Sequence, residues 1–139
     1  MLGSDGGGVV TIASLQLDLP PSVNNAFANR RGGGRCMSRE YRVWRTKMRM
    51  RIAARMAQPR LLMPPYKVVI WVPAKMRGDI SNRIKPIEDL LVDVGMLVDD
   101  RHVDALIVRR LAEIEAGTVT VIVRSLARSP KPMTEKVSA

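Results

Sequence analysis

Residues 80–94, ISNRIKPIEDLLVDV, constrain the fold more than any other part of the chain. On a helical wheel of about 100° per residue, Ile80, Ile84, Ile87, Leu91 and Val94 fall within about 40° of one direction, while Asn82, Lys85 and Asp89 gather on the opposite side. A stripe of this kind must be laid on an apolar surface, so the segment reads as a helix from about Ser81 to Val94 with one face packed and the other offered outward. Gly95 follows at the point where helices often end in a left-handed residue. Pro86 deletes the hydrogen bond to residue 82, which places the start of the regular helix late.

The surface to receive that stripe is supplied by strands. Val9 to Leu19 is rich in Val, Ile, Leu and Thr and is stopped by Pro20 and Pro21. Tyr66 to Val72 is a second strand, closed by Pro73. Val103 to Glu113 and Thr118 to Ser125 are two further β-rich runs, joined by EAGT in what reads as a hairpin with Gly117 in the turn. Ser22 to Arg35 is expected as a loop. Ser38 is a good N-cap for another helix running to about Gln58, in which Tyr41, Trp44, Met48, Ile52 and Met56 recur at three- and four-residue steps. The order β, α, β, α, β, β predicts an α+β fold, a small mixed β-sheet with two packed helices. A chain of 139 residues can bury a core of this kind without staples. It is expected as one domain over residues 9–125, with flexible tails at residues 1–8 and 126–139.

Charge narrows the partners. The sequence carries 23 basic and 13 acidic side chains, a formal charge of +10, which favours polyanions, nucleic acid first. A membrane partner is not expected, because the longest apolar run, Val68 to Ala74, is far shorter than the roughly 20 residues of a spanning helix. The first residues lack the pattern of a signal peptide, and the single cysteine, Cys36, allows no intrachain disulfide, so a cytoplasmic protein is expected. The first helix interleaves Arg39, Arg42, Arg45, Lys47, Arg49, Arg51 and Arg55 with one acid, Glu40, and is either a solvated face or a grip for phosphates. The glycine triplets at 6–8 and 32–34 lack the Lys-Ser/Thr ending of a phosphate-binding loop. The second lies in RRGGGR, whose Arg30, Arg31 and Arg35 are candidate DNA contacts. His102 is the only histidine and has no serine or cysteine pattern around it.

The acids near residues 80–94 are the candidate chemistry. Asp79 precedes the second helix and Asp99 and Asp100 follow it. If the chain from Gly95 to Asp100 doubles back along the helix, these carboxylates meet near its N-terminal end, where clustered hard oxygens suit Mg²⁺. Lys85 would then stabilise charge on a phosphate. The plainer reading makes Asp79 a helix cap, Asp99 and Asp100 a polar turn, and Lys85 the i,i+4 partner of Asp89.

Four segments in order, LPPSVNN (19–25), SREYRVW (38–44), GDISNRIK (78–85) and VGMLVDDRHV (94–103), resemble the RusA-type Holliday-junction resolvases, a family of crossover junction endodeoxyribonucleases of phage and prophage origin. The resemblance runs from Leu17 to about Val123. It implies a homodimeric, Mg²⁺-dependent nuclease, with Mn²⁺ as a possible substitute, that resolves branched DNA such as four-way junctions by paired nicks. Carried over by position, it puts catalytic aspartates at Asp79 and Asp100, with Asp99 beside the second as a further metal ligand, the supporting asparagine at Asn82 and the essential lysine at Lys85. The candidate DNA contacts, taken from the basic loop, the first helix and the turn before the second, are Arg30, Arg31, Arg35, Arg39, Arg42, Arg45 and Arg83. One position departs from the pattern: where the family has a second aspartate in Asp-x-Asp-Asn, this chain has Ser81. Either the metal is held with less charge, through a water on Ser81 or Asn82, or catalysis is lost while junction binding remains. A basic RNA-binding protein is the third reading, weakened by the presence of only five Trp, Tyr and Phe residues.

Overall fold

Strand Tyr66–Pro73 alternates buried and half-buried side chains along its length, and a strand so apolar takes the middle of a sheet. In a computed structural model, which describes residues 12–22, 27–29, 35–55 and 62–127, it does. In chain order the elements are β1 (Ile12–Asp18), β2 (Phe27–Asn29), β3 (Arg35–Met37), α1 (Arg39–Arg55), β4 (Tyr66–Pro73), α2 (Ile84–Asp93), β5 (Val103–Leu111) and β6 (Thr118–Ser125). One 3₁₀ turn, Ile80–Arg83, leads into α2, and another, Asp100–His102, leads into β5. The main sheet has four strands in the order β1-β6-β4-β5. β6 runs antiparallel to both β1 and β4, and β5 runs parallel to β4. The mixed sheet with two helices is thus the α+β fold expected.

Two expectations need correction. Residues 22–35 were expected as a loop, but Phe27–Asn29 and Arg35–Met37 pair antiparallel as a small second sheet. The last two strands do not form a hairpin, because β4 lies between them. The apolar β4 gains two neighbours by taking the centre, and the connection from Leu111 to Thr118 is long enough to pass over two strand spacings, about 10 Å. Gly117 nevertheless sits in a turn with φ of 80°, where a side chain would be strained.

The helices cover one face of the sheet. From α1 that face receives Tyr41, Trp44, Met48 and Ile52, from α2 Ile87, Leu90 and Leu91, packed against Leu15, Leu17, Val68, Ile70, Val72, Val119, Val121 and Val123. Ser38 caps α1 as expected, its Oγ accepting from the Tyr41 N–H at 3.1 Å. Met56 of the expected stripe, and residues 9–11 and 57–58 at the ends of two expected elements, lie outside the described residues. In α2 the buried set is Pro86, Ile87, Leu90 and Leu91, while Ile80, Ile84 and Val94 are only half-buried. Pro86 is accommodated because the chain enters as a 3₁₀ turn and the α-helix starts at Ile84, so the proline falls in the first turn, where its missing N–H would have had no partner.

Candidate active site

Parallel β4 and β5 need a crossover between them, and α2 is that crossover. Gly95, with φ of 84°, ends the helix and turns the chain back, and the Met96 and Leu97 N–H groups both donate to the Leu91 carbonyl. Met96 and Leu97 are buried, which pins the return against the core. Tyr66 fixes its far end: the buried phenol donates to the Leu62 carbonyl at 2.8 Å and accepts from the Val98 N–H at 3.1 Å.

That return delivers Asp100 to the first turn of α2. The Lys85 ammonium lies 2.6 Å from Asp100 Oδ2 and 3.2 Å from Asp89 Oδ1, so the lysine ties the first turn of the helix to the segment that follows it. Its proton is held strongly, first by the hydrogen bond to Asp100 and then by Asp89, which raises the pKa well above the ordinary lysine value. Lys85 is therefore held as a cation in this geometry. Glu88, one turn further on, is half-buried, and its carboxyl is pushed up by burial and by the negative charge of Asp100. Asp99 plays a local part: Oδ1 accepts from the Arg101 N–H at 3.0 Å, which holds its carboxylate below the ordinary range.

Asp79 stands at the entry to the 3₁₀ turn, exposed, with no side-chain cap hydrogen bond. No hydrogen bond or ion pair links it to Lys85 or Asp100, and Ser81 is likewise exposed. Its placement is set by a residue that sequence reasoning missed. Arg110, from β5, donates to the carbonyls of Met76 at 2.6 Å, Gly78 at 2.7 Å and Ala74 at 3.4 Å, threading the segment that ends at Asp79. Gly78 takes φ of 84°, so the bend before the aspartate is one that glycine allows.

The basic residues divide by what they touch. On α1, Lys47 and Arg51 each lie 2.9 Å from the Asp18 carboxylate, and Arg45 and Arg49 share Asp93 at 3.4 and 3.2 Å. Four of its cations are thus paired with carboxylates from β1 and α2, which the count of acids within the helix did not reveal. Arg42 donates to the Met37 carbonyl at 3.1 Å and stays exposed, and Arg39 is exposed. Arg83 turns inward, half-buried, and donates to the Pro20 carbonyl, tying the proline pair after β1 to the turn before α2. Arg30 and Arg31 lie outside the described residues, and Arg35 is described only as backbone of β3.

A family model described as Endodeoxyribonuclease RusA matches residues 18–124, which include every element from α1 to β5 and nearly all of β6. The chain belongs to the RusA endodeoxyribonuclease family. No curated protein matches it significantly. Family membership implies a Holliday-junction-resolving endonuclease. RusA nucleases are generally dependent on a divalent metal, and the residues can be compared with that need. The donors fit in kind, since Asp79 and Asp100 offer hard carboxylate oxygens. Among the described residues no three His, Cys, Asp or Glu side chains form a group able to enclose an ion, so water would have to complete any coordination, as it usually does for Mg²⁺.

Proposed function

We propose that this RusA-family chain is a metal-dependent, structure-specific DNA endonuclease that resolves four-way or otherwise branched DNA by paired nicks, acting as a homodimer. The observation that carries the reading is the Lys85–Asp100 contact of 2.6 Å, which joins two motif segments at one end of α2. Asp79 and Asp100 would hold Mg²⁺ or Mn²⁺, with Asp99 beside them and Ser81 and Asn82 supporting bound water. Once bound, the cation would neutralise the scissile phosphodiester and acidify the attacking water. Lys85, kept positive by Asp100 and Asp89, would face charge developing on the phosphate or the leaving oxygen and would neither take nor give a proton. Exposed Arg39 and Arg42, with Arg30, Arg31 and Arg35 beyond α1, would hold the arms of the junction through phosphates.

The alternative is a junction-binding protein with weakened or absent catalysis, and the observation that favours it is Ser81, a neutral hydroxyl where the family pattern has a carboxylate. One experiment separates the two. A synthetic four-way junction incubated with the protein and Mg²⁺ or Mn²⁺ is expected to be nicked symmetrically. The Asp100→Asn variant should bind the junction and leave it intact, which also excludes a contaminating nuclease. Binding by the unaltered chain without nicks under either metal would sink the enzyme reading.

A further inference from the structure

We propose that the face of the main sheet turned away from the helices holds single-stranded DNA, with Trp71 as its stacking residue and Lys67, Arg109 and Arg124 as its phosphate contacts. Successive side chains of a strand point to opposite faces, so the residues of β4 and β6 that skip the core share the other side. Strand register sets them in rows. Lys67 lies opposite Arg124 in the first row, Val69 lies between Ile122 and Ile107 in the next, and Trp71 lies between Thr120 and Arg109 in the third. All of these side chains are half-buried or exposed, and both helices pack against the opposite face.

The charges on this face point to a polyanion. Lys67, Arg109 and Arg124 make no ion pair or hydrogen bond with the described residues, unlike most of the cations on α1. Carboxylates that could neutralise them are missing from the face. Asp18 is the only acid of matching parity in the four strands, and its carboxylate is taken by Lys47 and Arg51 of α1. Lys67 and Arg124 moreover face each other directly across β4 and β6. Like charges in that position destabilise a sheet, and a phosphate bound between them would relieve the repulsion.

The apolar strip between the cations selects an unpaired strand. Val69, Ile107 and Ile122 separate Lys67 and Arg124 from Trp71 and Arg109, and the Trp71 indole N–H has no partner among the described residues. A duplex keeps the faces of its bases stacked inside and would bring only phosphates and sugars to so broad a surface. An unpaired strand can lay base faces on Trp71 and the strip while its phosphates meet the cations at either end. Lys67 and Trp71 are four residues apart, about 13 Å along the strand. A four-stranded sheet of this kind seats two or three unstacked bases. DNA is the polymer because the family acts on it. Lys85 lies on α2, across the sheet, so this surface is separate from the candidate active site and does not depend on nicking.

The test titrates the full chain, in EDTA, with a fluorescein-labelled oligothymidylate of about ten nucleotides, read by anisotropy. Binding should quench tryptophan fluorescence in the unaltered chain but not in Trp71→Leu, which retains only the buried Trp44. Trp71→Leu should weaken binding by about tenfold or more. Lys67→Gln and Arg124→Gln should each lower the slope of log affinity against log salt by about 0.7, the single-strand value for one phosphate contact. Both charge variants should melt no lower than the unaltered chain, because each removes one of two opposed cations, so they carry the test even if Trp71→Leu fails to fold. The inference is overturned by a chain that does not bind the oligothymidylate, by binding that all three variants leave unchanged, or by an unlabelled hairpin duplex that competes equally well. A dimer in sedimentation equilibrium that Ile107→Lys dissociates also overturns it, since protein would then cover the face. Junction nicking on the same samples keeps the two readings apart. A chain that binds through this face and never nicks overturns the nuclease alone, and one that nicks junctions without binding the oligothymidylate overturns this surface alone.

Discussion

At the scale of single residues, Ser81 and Glu88 carry opposite signs of the same electrostatic problem. Ser81→Asp restores a family carboxylate on an exposed turn, so it adds anionic charge without a burial cost, and nicking in Mg²⁺ is expected to rise severalfold. Initial rates on a labelled junction would measure it, and an unchanged rate would show that the missing carboxylate does not limit the site. Glu88 is a charge already present where burial and Asp100 oppose it. A carboxyl whose folded pKa is raised costs stability while ionised, and that cost disappears as pH falls through the folded value toward the ordinary one. Glu88→Gln is therefore expected to melt at higher temperature than the unaltered chain at pH 7, with the gain vanishing in acid below about pH 4. Thermal melts at the two pH values check the sign. Neither Glu88 nor Arg110 was legible as a site residue, for one reason. Each acts through a neighbour distant in sequence, Asp100 for one and the carbonyls before Asp79 for the other, and neither repeats at a spacing that periodicity can reveal.

Elements were legible where one period dominated. The α1 stripe and the alternation in β4 follow from local pattern, because burial on one face writes itself into the sequence at 3.6 or 2 residues, and the late start of α2 at Ile84 follows from Pro86 in its first turn. Strand partners did not, since the apolar runs of β5 and β6 fit a hairpin as well as they fit two sides of β4. The return from Gly95 to Asp100 lay between these cases: glycine marked the turn, but the anchor is Tyr66, far away in the chain. Its phenol serves both Leu62 and Val98, so Tyr66→Phe would leave a buried carbonyl and a partly buried N–H without their partner. The expected loss is about 1–3 kcal/mol, seen as a lower midpoint in urea. Nicking should fall with it even where the chain remains folded, because Asp100 sits at the end of the loosened return. A variant that loses stability at full nicking rate would separate the anchor from the site.

For the molecule as a whole, a formal charge of +10 describes the potential that draws DNA but not which cations meet it. The sequence shows seven basic side chains on α1 and one acid, and on that count the helix is an open cationic face. In the fold, Asp18 and Asp93 each pair with two of those seven from neighbouring elements, so four cations share two carboxylates. Two kinds of cation result, and salt distinguishes them. A side chain that meets a phosphate releases a condensed counterion, so its removal lowers the slope of log affinity against log salt by about 0.9. Arg39 is exposed and makes no hydrogen bond or ion pair with the described residues, so Arg39→Ala is expected to lower that slope by about one while leaving the melting temperature unchanged. Arg51 spends its charge on Asp18, only partly exposed to solvent, so Arg51→Ala is expected to cost at most about 1 kcal/mol of stability and to leave the salt slope close to that of the unaltered chain. Junction binding titrated by fluorescence anisotropy across a range of salt, beside thermal melts of both variants, measures the two effects. If Arg51→Ala flattens the slope as much as Arg39→Ala does, the ion pairs with Asp18 open on binding, and the whole basic face of α1 belongs to the DNA.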